Sequence, residues 1–222
     1  MSTLDYVKKT SSLKPILDVH GVRFFIKTEL PDHISSDDLR KKIFKTLPPI
    51  LFSGVKSVFV GDFEYLKARG ATAISYEDSI FLTNAQDSID DMIDDIAHEL
   101  GHHVEKKFFH NIHKNPLLKQ EFLSKKSIAL GMLDRMGYDV TKSTLSGPNY
   151  DKEIDQILTS DIGLHNIEKT FANLVVTPYS LTSLSEYFCE GLEFFLLNDA
   201  FYLQSVCPIL YNVIETILNS EL

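Results

Sequence analysis

Five residues near the middle of the chain, His98-Glu99-Leu100-Gly101-His102, restrict what it can fold into more than any other stretch. Residues i and i+4 lie one above the other on an α-helix, so two imidazoles at this spacing can grip one metal ion if the segment is helical. The flanks favour a helix from Ile89 to about Phe108. Ser88 can cap it, and Asp90, Asp91, Asp94 and Asp95 complement its dipole. At about 100° per residue, with His98 set at zero, His102 falls at about 40° and Glu99 at about 100°. Ile89, Met92, Ile93, Ile96, Leu100 and Val104 fall between about 120° and 240°, which is one apolar stripe. The two histidines thus face away from the stripe, toward a cleft, and the glutamate between them would flank a metal without ligating it. His103 lies at the stripe's edge and reads as packing. Asp91 and Asp95 read first as helix stabilisers, with a hydrogen bond to a ligand imidazole as their other role. The plain alternative for the whole pattern is a pair of surface histidines on an acidic helix.

The rest of the chain narrows the function classes. It has 222 residues, 22 Lys+Arg against 31 Asp+Glu, and a formal charge of −9. A net acidic chain with no long basic run is poorly suited to phosphates, so no nucleic-acid partner is expected. No window approaches about 18 consecutive apolar residues, so no membrane span is expected. The first ten residues lack a signal-peptide core. The expected location is therefore the cytoplasm, with export by a signal-less route left open. Cys189 and Cys207 cannot build a disulfide framework, although one bridge stays open.

Periodicity predicts a single α+β domain over residues 1–222. Strands are expected at residues 22–28 and 55–60, and a hairpin over residues 71–84 turns at Tyr76-Glu77-Asp78. Helices are expected over residues 36–47, capped by Ser36, over 62–69, and over 89–108. These make an α/β half, residues 1–108. Residues 109–178 read as a mostly helical insertion, with helices at 116–136, 149–158 and 165–174 and a loop at 141–148. Residues 179–222 form the C-terminal helical part, with helices at 183–198 and 208–218.

A catalytic zinc needs three protein ligands and one open position. The pattern H-E-x-x-H-x-x-G-x-x-H would need Gly and His where this chain has Glu105 and Phe108. A glutamate on a later helix is the other common source. Glu186 and Glu190 share one helical face in Ser183-Leu184-Ser185-Glu186-Tyr187-Phe188-Cys189-Glu190. One could ligate and the other orient a ligand histidine. Ser183-x-x-Glu186 also fits a capping box, which needs no metal. Spacing alone leaves both readings open.

The pair HELGHH and TPYSLTSLSEYFCEGLEFFLLND resembles the catalytic domain of the anthrax lethal-factor-like zinc metallopeptidases, the gluzincin group that includes the clostridial Pro-Pro endopeptidases. The similarity covers residues 70–108 and 175–218. The family's third zinc ligand opens an E-F-F-A-E-type helix and matches Glu186. Its second glutamate matches Glu190, and the tyrosine that assists catalysis matches Tyr179. Cys207-Pro208-Ile209-Leu210-Tyr211-Asn212 is similar to the family's A-P-K-T-F/Y segment. The stretch between His102 and Glu186 is longer than in the family, so residues 106–178 would add a lid or subdomain.

The resemblance implies a zincin-like fold: a small mixed sheet with an edge strand above the active-site helix, followed by a mostly helical half. It also implies a zinc endopeptidase, a hydrolase of protein or peptide substrates with one catalytic Zn2+. His98, His102 and Glu186 would hold the zinc and lower the pKa of its water to about 7. Glu99 would act as general base. Tyr179 would stabilise the oxyanion or the leaving amine, its plain alternative being a turn tyrosine after Pro178. An extended substrate would pair with the edge strand at Ala71, Thr72, Ala73 and Ile74, where small side chains leave room; an ordinary hairpin explains them equally. Two rivals remain: a zincin-fold binding or assembly protein without turnover, and a zinc hydrolase of a non-peptide amide. His110 and His113, among Lys106, Lys107 and Lys114, form a basic patch that the helix dipole explains, a second metal site being the other reading.

Overall fold

The structure, a computed structural model, describes residues 17–143, 147–162 and 169–220. The expected helix at 165–174 and loop at 141–148 fall partly outside the described residues, and the first ten residues fall wholly outside them. The chain divides into two compact units, Met1–Glu99 and Leu100–Leu222.

The first unit holds a five-stranded mixed sheet in the order β1-β2-β3-β5-β4. β1 (Leu17–Val19) and β2 (Val22–Ile26) form an antiparallel hairpin across His20-Gly21. Both turn residues take positive φ, 52° and 81°, as a two-residue turn matched to strand twist requires. The short helix α1 (Ser36–Thr46) then crosses to β3 (Ser57–Val60), which lies parallel to β2. Ser35, not Ser36, caps α1: its backbone is extended and its hydroxyl accepts from the Asp38 N–H. After the one-turn helix α2 (Glu64–Lys67), β4 (Ala73–Tyr76) and β5 (Ser79–Leu82) form the expected hairpin. β5 runs parallel to β3, so β4 is left at the sheet edge.

Residues in register across the sheet explain its core. Phe25, Phe59 and Phe81 stack on neighbouring strands at 5.1 Å between successive ring centroids. Phe63 and Leu66 cover this aromatic row, and Ala71 and Ile74 pack against it. Phe24, Val58 and Ile80 point to the opposite face, and all three are fully buried. The long helix α3 (Ile89–Lys107) begins in this unit, with the Ser88 hydroxyl accepting from Asp91 N–H as expected.

The second unit is helical. After α3 come α4 (Phe109–His113), α5 (Pro116–Arg135), α6 (Lys152–Gln156), α7 (Leu184–Leu197), α8 (Ala200–Val206) and α9 (Pro208–Leu218). Polar side chains of α5, Lys125 and Lys126 buried and Glu121 partly so, tie the others together. Glu121 accepts from the Tyr187 phenol on α7 and from the first backbone N–H groups of α9, at 2.9–3.0 Å. Lys125 donates to the carbonyls of Leu174 and Val206. Lys126 pairs with Asp151 at 3.0 Å, both almost fully buried. Such groups are costly to bury unless each finds a partner, and here each does. Cys189 and Cys207 are both buried and not joined to each other, so the bridge left open by the sequence is not formed. Among the described residues no helix is long and apolar enough to cross a membrane.

Candidate metal centre

Helix α3 is unbroken across the sequence His98-Glu99-Leu100-Gly101-His102. Its stripe is buried as expected: Met92, Ile96 and Leu100 are inaccessible, whereas His98 and His102 are half-buried. His103 is buried and packs, as its azimuth predicts. Glu99 is only 7% exposed, unusual for a carboxylate with no assigned task. In the first unit, the Ser75 hydroxyl donates to the Glu99 carbonyl. Asp95, one turn before His98, accepts from Gln86 and Thr72. Burial pushes the Asp95 carboxyl up, against the opposing pull of those two bonds and of nearby His98.

In the second unit, Ser183 caps α7 by accepting from the Glu186 N–H at 2.9 Å. That is one half of the capping box. The Glu186 carboxylate meanwhile faces α3: Oε1 lies 3.8 Å from His102 Nε2. This separation is too long for a hydrogen bond. Two ligands each about 2.0–2.2 Å from one zinc can be at most about 4.4 Å apart, so the pair fits a shared ion. Glycine makes the approach possible. A Cβ on Gly101 would stand 3.2 Å from the Cα, Cβ and Sγ of Cys189, so any larger residue would push the helices a few tenths of an ångström apart.

The other ring nitrogen of His102 has a different neighbour. Nδ1 lies 3.4 Å from Glu105 Oε2 and 3.3 Å from Cys189 Sγ. Glu105 also accepts from Ser185 Oγ at 2.7 Å and meets His113 Nε2 at 2.6 Å. Burial alone would raise the Glu105 carboxyl. The bonds from His102, Ser185 and His113 outweigh it and hold the group down at about 2. His113 is thus a partner of Glu105 and stacks on Phe109 at 4.7 Å. Sequence reasoning passed over Glu105 because it filled the place of an absent glycine. The only available signal was its position one turn after His102 on the same face.

Glu190 accepts from the Thr177 hydroxyl at 2.6 Å. Tyr179 sits in the one-turn helix Pro178–Leu181, just before α7. A second tyrosine, unanticipated, stands by it. Backbone bonds from Asp151 N–H to Thr182 and from Leu184 N–H to Pro148 pin the Tyr150 segment to the start of α7. Burial, a hydrogen bond to Asp155 and the charges of Tyr179 and Glu186 push the Tyr150 phenol up. Tyr150, Tyr179 and Glu186 therefore share one neighbourhood in the second unit.

The expected substrate strand is only partly open. Ala71 N–H is bonded to Leu66, and the Thr72 carbonyl accepts from Thr83 N–H. Ile74 is opposite Phe81 and packs on the aromatic row. Hydrogen-bonded pairs alternate along an antiparallel ladder. With Thr72 bonded to Thr83, Ala73 and Ser75 turn their N–H and C=O groups to the open edge. Of Ala71, Thr72, Ala73 and Ile74, Ala73 is the residue whose backbone is free to pair outward. Comparison with family profiles, with characterised proteins and with solved structures finds no match to this chain.

Proposed function

We propose that the protein is a zinc-dependent endopeptidase, similar to the lethal-factor-like gluzincins, with His98, His102 and Glu186 as its metal ligands. The observation that carries this reading is Glu186 Oε1 lying 3.8 Å from His102 Nε2, with His98 one turn earlier on the same helix. Bound there, zinc supplies a Lewis acid that polarises a peptide carbonyl and brings the pKa of water to about 7. Glu99 is the general base: its carboxylate takes a proton from the attacking water and delivers it to the leaving nitrogen. Tyr179 donates its phenol proton as a hydrogen bond to the developing oxyanion, the role implied by resemblance. Glu190, steadied by Thr177, orients a ligand histidine. The substrate, a protein or peptide, lies extended along β4 and pairs with the outward groups of Ala73 and Ser75.

The test compares wild type with Glu99→Gln for zinc content and for cleavage of a peptide library. Both proteins are expected to bind one zinc per chain, and the variant to cut at least about 10²-fold more slowly. Equal cutting by the two would remove Glu99 as base. Zinc binding without cutting by either would leave a binding or assembly protein. Cutting confined to non-peptide amides would move the substrate class.

A further inference from the structure

We propose that Glu105 is a positioning residue that fixes His102 with its proton on Nδ1, leaving the Nε2 lone pair aimed at the side where Glu186 stands. The consequence for metal binding rests on the zinc reading above; the assignment of the proton does not. Four observations lead to it. The two nitrogens of His102 face opposite chemistries, a carboxylate behind Nδ1 and a ligand-capable carboxylate beyond Nε2. Glu105 is itself immobilised, by Ser185 on Oε2 and His113 on Oε1, so its place does not depend on His102. Its side chain is only 12% exposed, so water does not dilute its effect. The competing arrangement, a bare Nδ1 accepting from the Cys189 thiol, would aim an imidazole lone pair at a carboxylate oxygen 3.4 Å away. Two electron-rich atoms facing each other in a poorly hydrated site repel, whereas an N–H between them attracts.

Both heavy-atom contacts to Nδ1 are long, which fits one N–H shared between the Glu105 oxygen and the Cys189 sulfur. A histidine whose far nitrogen donates to a carboxylate presents its other nitrogen as a fixed, more basic ligand. His113 and Ser185 act one step further back, by holding Glu105. Ser185 lies one residue before Glu186, so α7 supplies both the carboxylate facing Nε2 and a hydroxyl that anchors the carboxylate behind Nδ1.

The experiment has two arms. In zinc-free protein, nitrogen NMR of the histidine rings at a pH of about 8 reads which nitrogen carries the proton, with His102 identified by the loss of its signals in His102→Gln. Wild type and Cys189→Ala are both expected to show His102 protonated on Nδ1. Glu105→Ala, or Glu105→Gln if the alanine variant does not fold, is expected to show a mixture of tautomers. In the second arm, chelator competition on the folded protein measures zinc affinity, which is expected to fall about 10–100-fold in Glu105→Gln. A wild-type His102 protonated on Nε2, or a tautomer unaltered in both Glu105 variants, overturns the proposal. So does zinc affinity equal to wild type in Glu105→Gln. Wild type that binds no zinc overturns the zinc reading instead, and the NMR arm still decides the role of Glu105.

Discussion

Glu105 carries its charge far below the ordinary carboxylate range because Ser185, His113 and His102 all point donors at it. A group whose pKa is lower in the folded than in the unfolded chain stabilises the fold when ionised. Its contribution is complete above the ordinary value of 4.5 and disappears as the pH falls toward about 2. Denaturant titrations of zinc-free wild type and Glu105→Gln should therefore differ most above that window and converge at its acid end. A gap that stayed constant through the window would mean the carboxylate is not specially held. Glu186 poses the other question at this scale, cap or ligand. Zinc at 100 times its Kd should raise wild-type stability by about 2.7 kcal/mol. Glu186→Ala should lose that zinc-dependent rise altogether. A residue that only capped α7 would instead cost about 1 kcal/mol and leave the rise intact.

Among the elements, α7 depends on two glycine contacts, one on a neighbouring helix and one of its own. Gly101 lets α3 approach Cys189, and Gly191 lies under Leu210 of α9, where an added Cβ would come within 2.4 Å of the Leu210 Cδ2. Leu210 is fully buried and cannot swing aside into water. Gly191→Ala should thus lower stability by about 1–3 kcal/mol in urea unfolding, despite alanine's better helix propensity. A neutral or stabilised variant would show that α9 yields at this contact. Strand β4 offers a cleaner separation of fold from function. The Ala73 N–H points away from β5, so Ala73→Pro removes no bond of the sheet, and edge strands tolerate proline in that position. If peptides add to this edge, the variant should keep its melting temperature within a few degrees while kcat/KM falls about tenfold or more. Unchanged turnover would move the substrate off the strand.

Over the whole chain, what could be read beforehand follows how local the causes are. The helix over Ile89–Lys107 was legible because its cap, its acids and its apolar stripe all lie within it. The hairpin was legible from Glu77-Asp78 between two β-type runs, and α9 from Pro208 at its start. Strand β1 is three residues long, too short to show alternation. α8 escaped notice because Asp199 caps a single pair of turns and Lys125, distant in sequence, donates to the carbonyl at its end. The site divides in the same way. His98, Glu99 and His102 announce themselves by spacing, whereas the carboxylate behind His102 is secured by Ser185, 80 residues away. The same distinction applies to the two sulfurs. Cys189 and Cys207 are each sealed from water and left unjoined. The fold therefore draws no strength from oxidation and presents no thiol to an oxidant, so a reducing cell interior and an oxidising exterior would find the same intact molecule.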